Sequence, residues 1–176
     1  MTTATPPTAA SNGELLQWVF DKLNEHDLAP LAENFWTSSA VEIFPDRTCH
    51  GADQIRAYFE EKYRGIPDLR LEVIAVVEQD DDVVVHWRLS GRHDGPLLGV
   101  APTHKQLKFE GIDHFVLRDG HPVSATVVFD QMELARQLGM LPPDGSAADK
   151  TIKAAFNALT KLVQRLKRRP VATPGS

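Results

Sequence analysis

The hydrophobic period of this chain changes once, at Gly65-Ile66-Pro67-Asp68. Before that point apolar residues recur at helical spacing: Leu15, Leu16, Val19, Phe20 and Leu23, then Ile55, Tyr58, Phe59 and Tyr63. After it they alternate, and residues 69–77, 83–89, 106–117 and 123–129 read as strands. Helices first and strands second predict an α+β domain with helices on one face of a curved antiparallel sheet.

Local signals set the boundaries. Ser11 and Glu14 form a capping-box pattern that starts a first helix running to about residue 25. A shorter helix is expected over 28–35 with Pro30 in its first turn, then a short strand over 40–44 stopped by Pro45-Asp46. Asp53 is placed as the cap of the third helix. Asp119-Gly120 marks a two-residue hairpin turn, and 91–104 is a longer connection rich in Gly and Pro. A helix over 131–138 ends at Gly139. The expected layout is a leader over 1–12, a domain over 13–141, a linker over 142–146, a basic amphipathic helix over 147–169 and a tail over 170–176.

Charge separates these parts. Residues 149–176 hold seven bases and one acid, a net +6, which leaves −11 on residues 1–148 from a formal total of −5. An acidic body is unsuited to a nucleic-acid groove. A single cysteine, Cys49, cannot build a disulfide framework. No run approaches the roughly 18 apolar residues of a membrane span. The leader lacks the apolar core of a secretory signal, so a cytoplasmic location is expected. Seven histidines show neither H-E-x-x-H nor H-x-x-x-H spacing, so no metal site is expected.

The hairpin proposes a register. With Arg118 opposite His121, Asp113 falls opposite Thr126. One sheet face then carries Phe109, Gly111, Asp113, Phe115 and Leu117 together with Ser124, Thr126, Val128 and Asp130. Two carboxylates on an apolar face are expected to have raised pKa values, which suits proton transfer near neutrality. Asp130, just before a helix, also fits a capping role. Both sheet faces are apolar in this register, so a second subunit is expected on the outer one, giving a homodimer through the sheet. The final helix carries Ile152, Phe156, Leu159, Val163 and Leu166 in steps of four and three, and is expected to dock on the domain or on a partner.

The order of elements resembles the nuclear-transport-factor-2-like cone fold. Within it, the segment from Trp87 to Gly139 is similar to the SnoaL-like polyketide cyclase (ester cyclase) family. The carrying residues are Trp87, Gly91-Arg92-His93-Asp94-Gly95 and Pro102-Thr103-His104-Lys105, with His104 where the family usually has Gly. Phe109-Glu110-Gly111-Ile112-Asp113 and Asp130…Gln137-Leu138-Gly139 complete the likeness. The resemblance implies cofactor-independent intramolecular aldol ring closure of a polycyclic precursor. Asp130 matches the family's acid/base aspartate, and Asp113 is expected to polarise an enolate oxygen. Trp87, His93, Phe109, Phe115, Thr126, Val128, Trp36 and Phe59 are the expected binding residues for a hydrophobic polycyclic ligand. Ile112-Asp113-His114-Phe115 also resembles the ketosteroid isomerase segment that holds a protonated aspartate. That alignment puts Ile43 and Val19 where an isomerase carries its aspartate base and its tyrosine. A hydroxylase or isomerase acting on a similar substrate is the enzymatic alternative. A non-catalytic ligand-binding or scaffolding module is the other.

Overall fold

The computed structural model describes residues 5–7 and 11–167, so most of the expected leader and the tail over 170–176 lie outside the described residues. The chain divides into two compact units, Met1–Leu138 and Gly139–Ser176.

In the first unit, helix α1 (Asn12–Glu25) begins at the expected capping box. The Ser11 hydroxyl accepts from the Glu14 N–H, and the Glu14 carboxylate accepts from the Ser11 N–H. Glu78, next to last in the first of the four long strands, adds carboxylate acceptors for the N–H groups of Asn12 and Gly13. Four orphan donors of a helix start thereby gain side-chain partners from two places. Helix α2 (Ala29–Asn34) has Pro30 in its first turn. Helix α3 (Gly51–Gly65) starts earlier than expected, with His50 as its cap residue, so Asp53 lies in the first turn instead. The left-handed backbone at Gly51, φ 74°, makes that earlier entry possible.

The sheet has six strands in the order β2-β1-β6-β5-β4-β3, where β1 is Val41–Ile43, β2 Thr48–His50, β3 Arg70–Gln79, β4 Asp82–Arg92, β5 Gln106–Arg118 and β6 His121–Phe129. It is curved and does not close. Neighbours are antiparallel except β1 and β6, which run parallel. The strand β2 had no counterpart in the expected layout. Asp119 and Gly120 take φ values of 51° and 75°, the left-handed pair that a tight hairpin needs.

One feature overturns the expected register. Leu117 pairs with Pro122, but Val116 pairs with Ser124, so Val123 is an extra residue on β6. Proline has no N–H to give the ladder, and a bulge beside it is a favoured solution. Beyond the bulge every β6 side chain changes face. Asp113 therefore opposes Val127, not Thr126. Ala125, Val127 and Phe129 face inward, whereas Val128 is 61% exposed on the outer face beside Ile112.

The inner face of the sheet and the N-terminal helices share one core that includes Leu16, Phe20, Leu31, Phe35, Ile55, Val83, Val85, Leu107 and Leu117. Helix α4 (Gln131–Leu138) buries Leu134 and Leu138. It continues the ladder that β6 leaves at Phe129. The Gln137 side chain accepts from the Lys108 N–H at 2.8 Å and donates to the Lys108 carbonyl at 2.7 Å.

The second unit consists of a short lead and helix α5 (Ala147–Lys167). Ser146 Oγ accepts from the Asp149 N–H, and Asp149 in turn accepts from the Gly145 N–H. Lys153 joins Asp144 and Asp149 at 3.0 and 2.7 Å. Among the described residues, no helix is long and apolar enough to cross a membrane.

Candidate active site

Two acids occupy the inner face. Asp113 sits mid-strand on β5, between Gly111 and Phe115 on the same face. Its Oδ1 accepts the indole N–H of Trp87 at 2.8 Å. Trp87 can reach it because Gly111 stands directly across the ladder, and the ring occupies the space a side chain would need. Phe109 and Phe129 close around the same indole, with ring centroids 6.1 and 6.4 Å away.

The second acid is Glu42 on β1, only 4% exposed. Its flanking residues Val41 and Ile43 face the other way, so a period of two puts Glu42 alone inside on this three-residue strand. It pairs with Ala125 of β6, which is buried on the same face. Glu42 Oε1 accepts the indole N–H of Trp36 at 2.8 Å. Trp36 in turn stacks on Phe59 at 5.8 Å, within an aromatic cluster that also holds Phe44, Tyr58 and Tyr63.

The two acids thus have the same construction. Each gives one oxygen to a buried indole, and among the described residues neither Asp113 Oδ2 nor Glu42 Oε2 has a hydrogen-bond donor. Burial pushes the Asp113 carboxyl up to about 7, and the Trp87 N–H, which favours the charged form, pulls the other way. Glu42 rises to about 8, through burial first and then through the nearby charge of Asp113, against the pull of Trp36. Each site is apolar enough to disfavour a charge, and the charge of Asp113 raises Glu42 further.

The structure brings Asp113, Trp87, Phe109 and Phe115 onto one face, with Trp36 and Phe59 around the second acid. It does not bring Thr126, Val128 or Asp130 there. Thr126 and Val128 follow the bulge to the outer face. Asp130 is exposed and is the cap of α4: Oδ1 accepts from the N–H groups of Met132 and Glu133 at 2.9 and 3.0 Å. His93 is fully buried in the β4–β5 connection. Its Nδ1 accepts from the Thr103 N–H at 3.2 Å and lies 3.0 Å from Thr103 Oγ1, and burial lowers its pKa. The ring therefore orders this loop in its neutral form. The other histidines bond to scattered partners, among them Glu110, Asp82 and Asp94.

Glu42 was the residue sequence reasoning missed. Ile43, the position aligned with the isomerase base, is 43% exposed on the outer face, and its neighbour is the inward acid. The signal was present as a lone acid between two β-branched residues in a short strand.

The family model of the SnoaL-like polyketide cyclases matches residues 14–138. The chain belongs to that family. A candidate SnoaL-like polyketide cyclase from Jannaschia sp. CCS1 is 27% identical over 74% of this chain and 93% of its own, with a TM-score of 0.68. TsrD from Streptomyces laurentii is 26% identical over 72% and 92%, with a TM-score of 0.65. IdmH from Streptomyces antibioticus, a candidate polyketide cyclase, is 20% identical over 74% and 99%, with a TM-score of 0.65, and shares the fold. No curated protein matches. In this SnoaL-like chain the family match stops at Leu138, so α5 lies beyond it.

Proposed function

We propose that this SnoaL-like protein is a cofactor-independent, polyketide cyclase-like enzyme whose acid/base group is the Glu42–Asp113 pair. The observation that carries this reading is the pair itself, two acids on one apolar face, each held through one oxygen by an indole N–H. Titration of such a pair belongs to both members. With both carboxyls raised toward neutrality, a form with one proton on the pair is available near neutral pH. One member is then a carboxylate and the other a carboxylic acid.

That charge state suits an intramolecular aldol closure. The carboxylate takes the proton from carbon next to a carbonyl. The enolate formed attacks a second carbonyl of the same molecule, making the ring's carbon–carbon bond. The carboxylic acid gives its proton to the resulting alkoxide, and the pair ends with the one proton it began with. Both transfers come from the protein, so the cycle needs no cofactor. Trp87, Phe109, Phe115 and Phe59 supply flat apolar surface suited to a polycyclic aromatic ketone or ester. Asp130 is left with the cap of α4.

Ring-open polycyclic β-keto esters are the test substrates, with ring closure followed by chromatography and mass spectrometry. Asp113→Asn and Glu42→Gln are each expected to slow closure by ~10²–10⁴ while the fold stays intact by near-UV circular dichroism. Full activity in both variants would sink the assignment.

A further inference from the structure

We propose that α5 is a self-association helix that pairs in parallel with α5 of a second copy of this chain. None of the proposed site residues lies on it, and it lies outside the family match. The related structures are covered over 91–99% of their own length by 70–76% of this chain, so the shared fold is complete without it.

The helix is well started and poorly covered. Ser146, Asp149, Gly145 and Lys153 fix its N-terminal turn through local bonds. Over the following four turns Ile152, Phe156, Leu159, Leu162, Val163 and Leu166 are all exposed, Phe156 at 67%. Most of a helix's stability in proteins comes from packing an amphipathic face rather than from propensity, and this 21-residue helix carries such a face.

The spacing names the occupant. Steps of four, three, four and three place Phe156 and Val163 at a positions and Ile152, Leu159 and Leu166 at d positions of a heptad. In the C-terminal heptad Val163 at a with Leu159 and Leu166 at d is the combination that favours two parallel strands. The charges agree. Lys150, Lys161 and Arg165 fall at b, f and c, away from the seam. In a parallel pair the g residues Ala155 and Leu162 meet Thr160 and Lys167 of the second copy, with no like charges opposed. Lys167 there lays its aliphatic stem on Leu162. An antiparallel pair sets e against e and brings Lys153 toward Lys167 of the other copy, a repulsive contact.

The test uses the full chain in sedimentation equilibrium and light scattering at micromolar concentration. The wild type is expected to be a dimer. Phe156→Gln with Val163→Gln is expected to weaken the dimer by ~100-fold or more, since two apolar side chains per copy lose their burial. Near-UV circular dichroism checks that the first unit remains folded. Ile152→Cys in a Cys49→Ala background is expected to cross-link to itself on oxidation, because a parallel pair puts residue 152 opposite residue 152 and an antiparallel pair sets the two copies of it about 24 Å apart along the helix. A monomeric wild type overturns the proposal. So does a dimer that survives the double substitution, which another face such as the sheet would then hold. A dimer lost on double substitution but without the 152–152 cross-link overturns the parallel pairing.

Discussion

Gly111 stands opposite Trp87 in the β4–β5 ladder, and the indole lies where a Gly111 side chain would project. The absence of one methyl group thereby sets the position of a donor that acts two residues further along, at Asp113. Gly111→Ala forces a buried ring to move in a packed core. It is expected to cost about 1–3 kcal/mol of stability in urea denaturation. It is also expected to break the Trp87–Asp113 hydrogen bond, visible as a shift of the indole N–H resonance.

Each indole holds its acid below the value that burial alone would set, because an N–H donor favours the carboxylate. Trp87→Phe keeps an aromatic ring and removes the N–H, so Asp113 is expected to titrate above its value of about 7. Trp36→Phe is expected to move Glu42 upward from about 8 in the same way. Carbon-13 titration of the side-chain carboxyls reads both, and a downward shift in either variant contradicts the account.

Asp130 and Asp113 should separate cleanly by phenotype. Asp130→Ala leaves the N–H groups of Met132 and Glu133 without their acceptor, a loss typical of helix caps at ~0.5–2 kcal/mol. Asp130→Ser is expected to restore most of that stability, since serine caps nearly as well. Ring closure is expected to persist in both. Loss of turnover in Asp130→Ser with stability intact would return the acid/base role to this residue.

Much of this architecture was legible in the chain. Period, caps and the Asp119-Gly120 turn located α1, α4 and the four long strands, because each rests on local chemistry. The face of β6 was not legible. It depends on one extra residue after Pro122, and alternation reads equally well in either frame when both frames are apolar. That single slip moved Thr126 and Val128 outward and put Val127 opposite Asp113. Glu42 was hidden for a different reason: β1 has three residues, too few for a period to show which side faces in.

His104 shows the reverse, a family difference whose consequence appears only in the backbone. It stands where the family resemblance expects glycine, and its φ is +56°. A left-handed conformation costs a residue with a Cβ roughly 1–2 kcal/mol. The exposed bond from His104 Nδ1 to Asp94 Oδ1, 2.8 Å, offsets only part of that. His104→Gly is therefore expected to raise stability by about 0.5–1 kcal/mol, measured as an upward shift in the denaturation midpoint at unchanged slope.

The pair at the centre also makes the protein sensitive to alkali. An acid whose folded pKa is raised keeps its proton longer in the fold than in the unfolded chain. Between the two values the folded state binds more protons, so stability falls as pH rises through that window. For Asp113 the window runs from about 4 to about 7, and for Glu42 from about 4.5 to about 8. Each pKa unit corresponds to about 1.4 kcal/mol, so the combined loss is on the order of a few kcal/mol after relaxation around the two sites. Asp113→Asn and Glu42→Gln replace the ionising groups by neutral amides of similar shape. Each is expected to flatten the fall, and the double variant is expected to be more stable than the wild type at pH 8.5 and less changed at pH 4.5. Urea denaturation at the two pH values measures it. His93, whose pKa burial lowers, contributes in the opposite sense, so the comparison with the variants decides: a pH dependence unchanged in Asp113→Asn and Glu42→Gln would mean that the two acids do not carry raised pKa values in the fold, and the single-proton pair would be lost with that result.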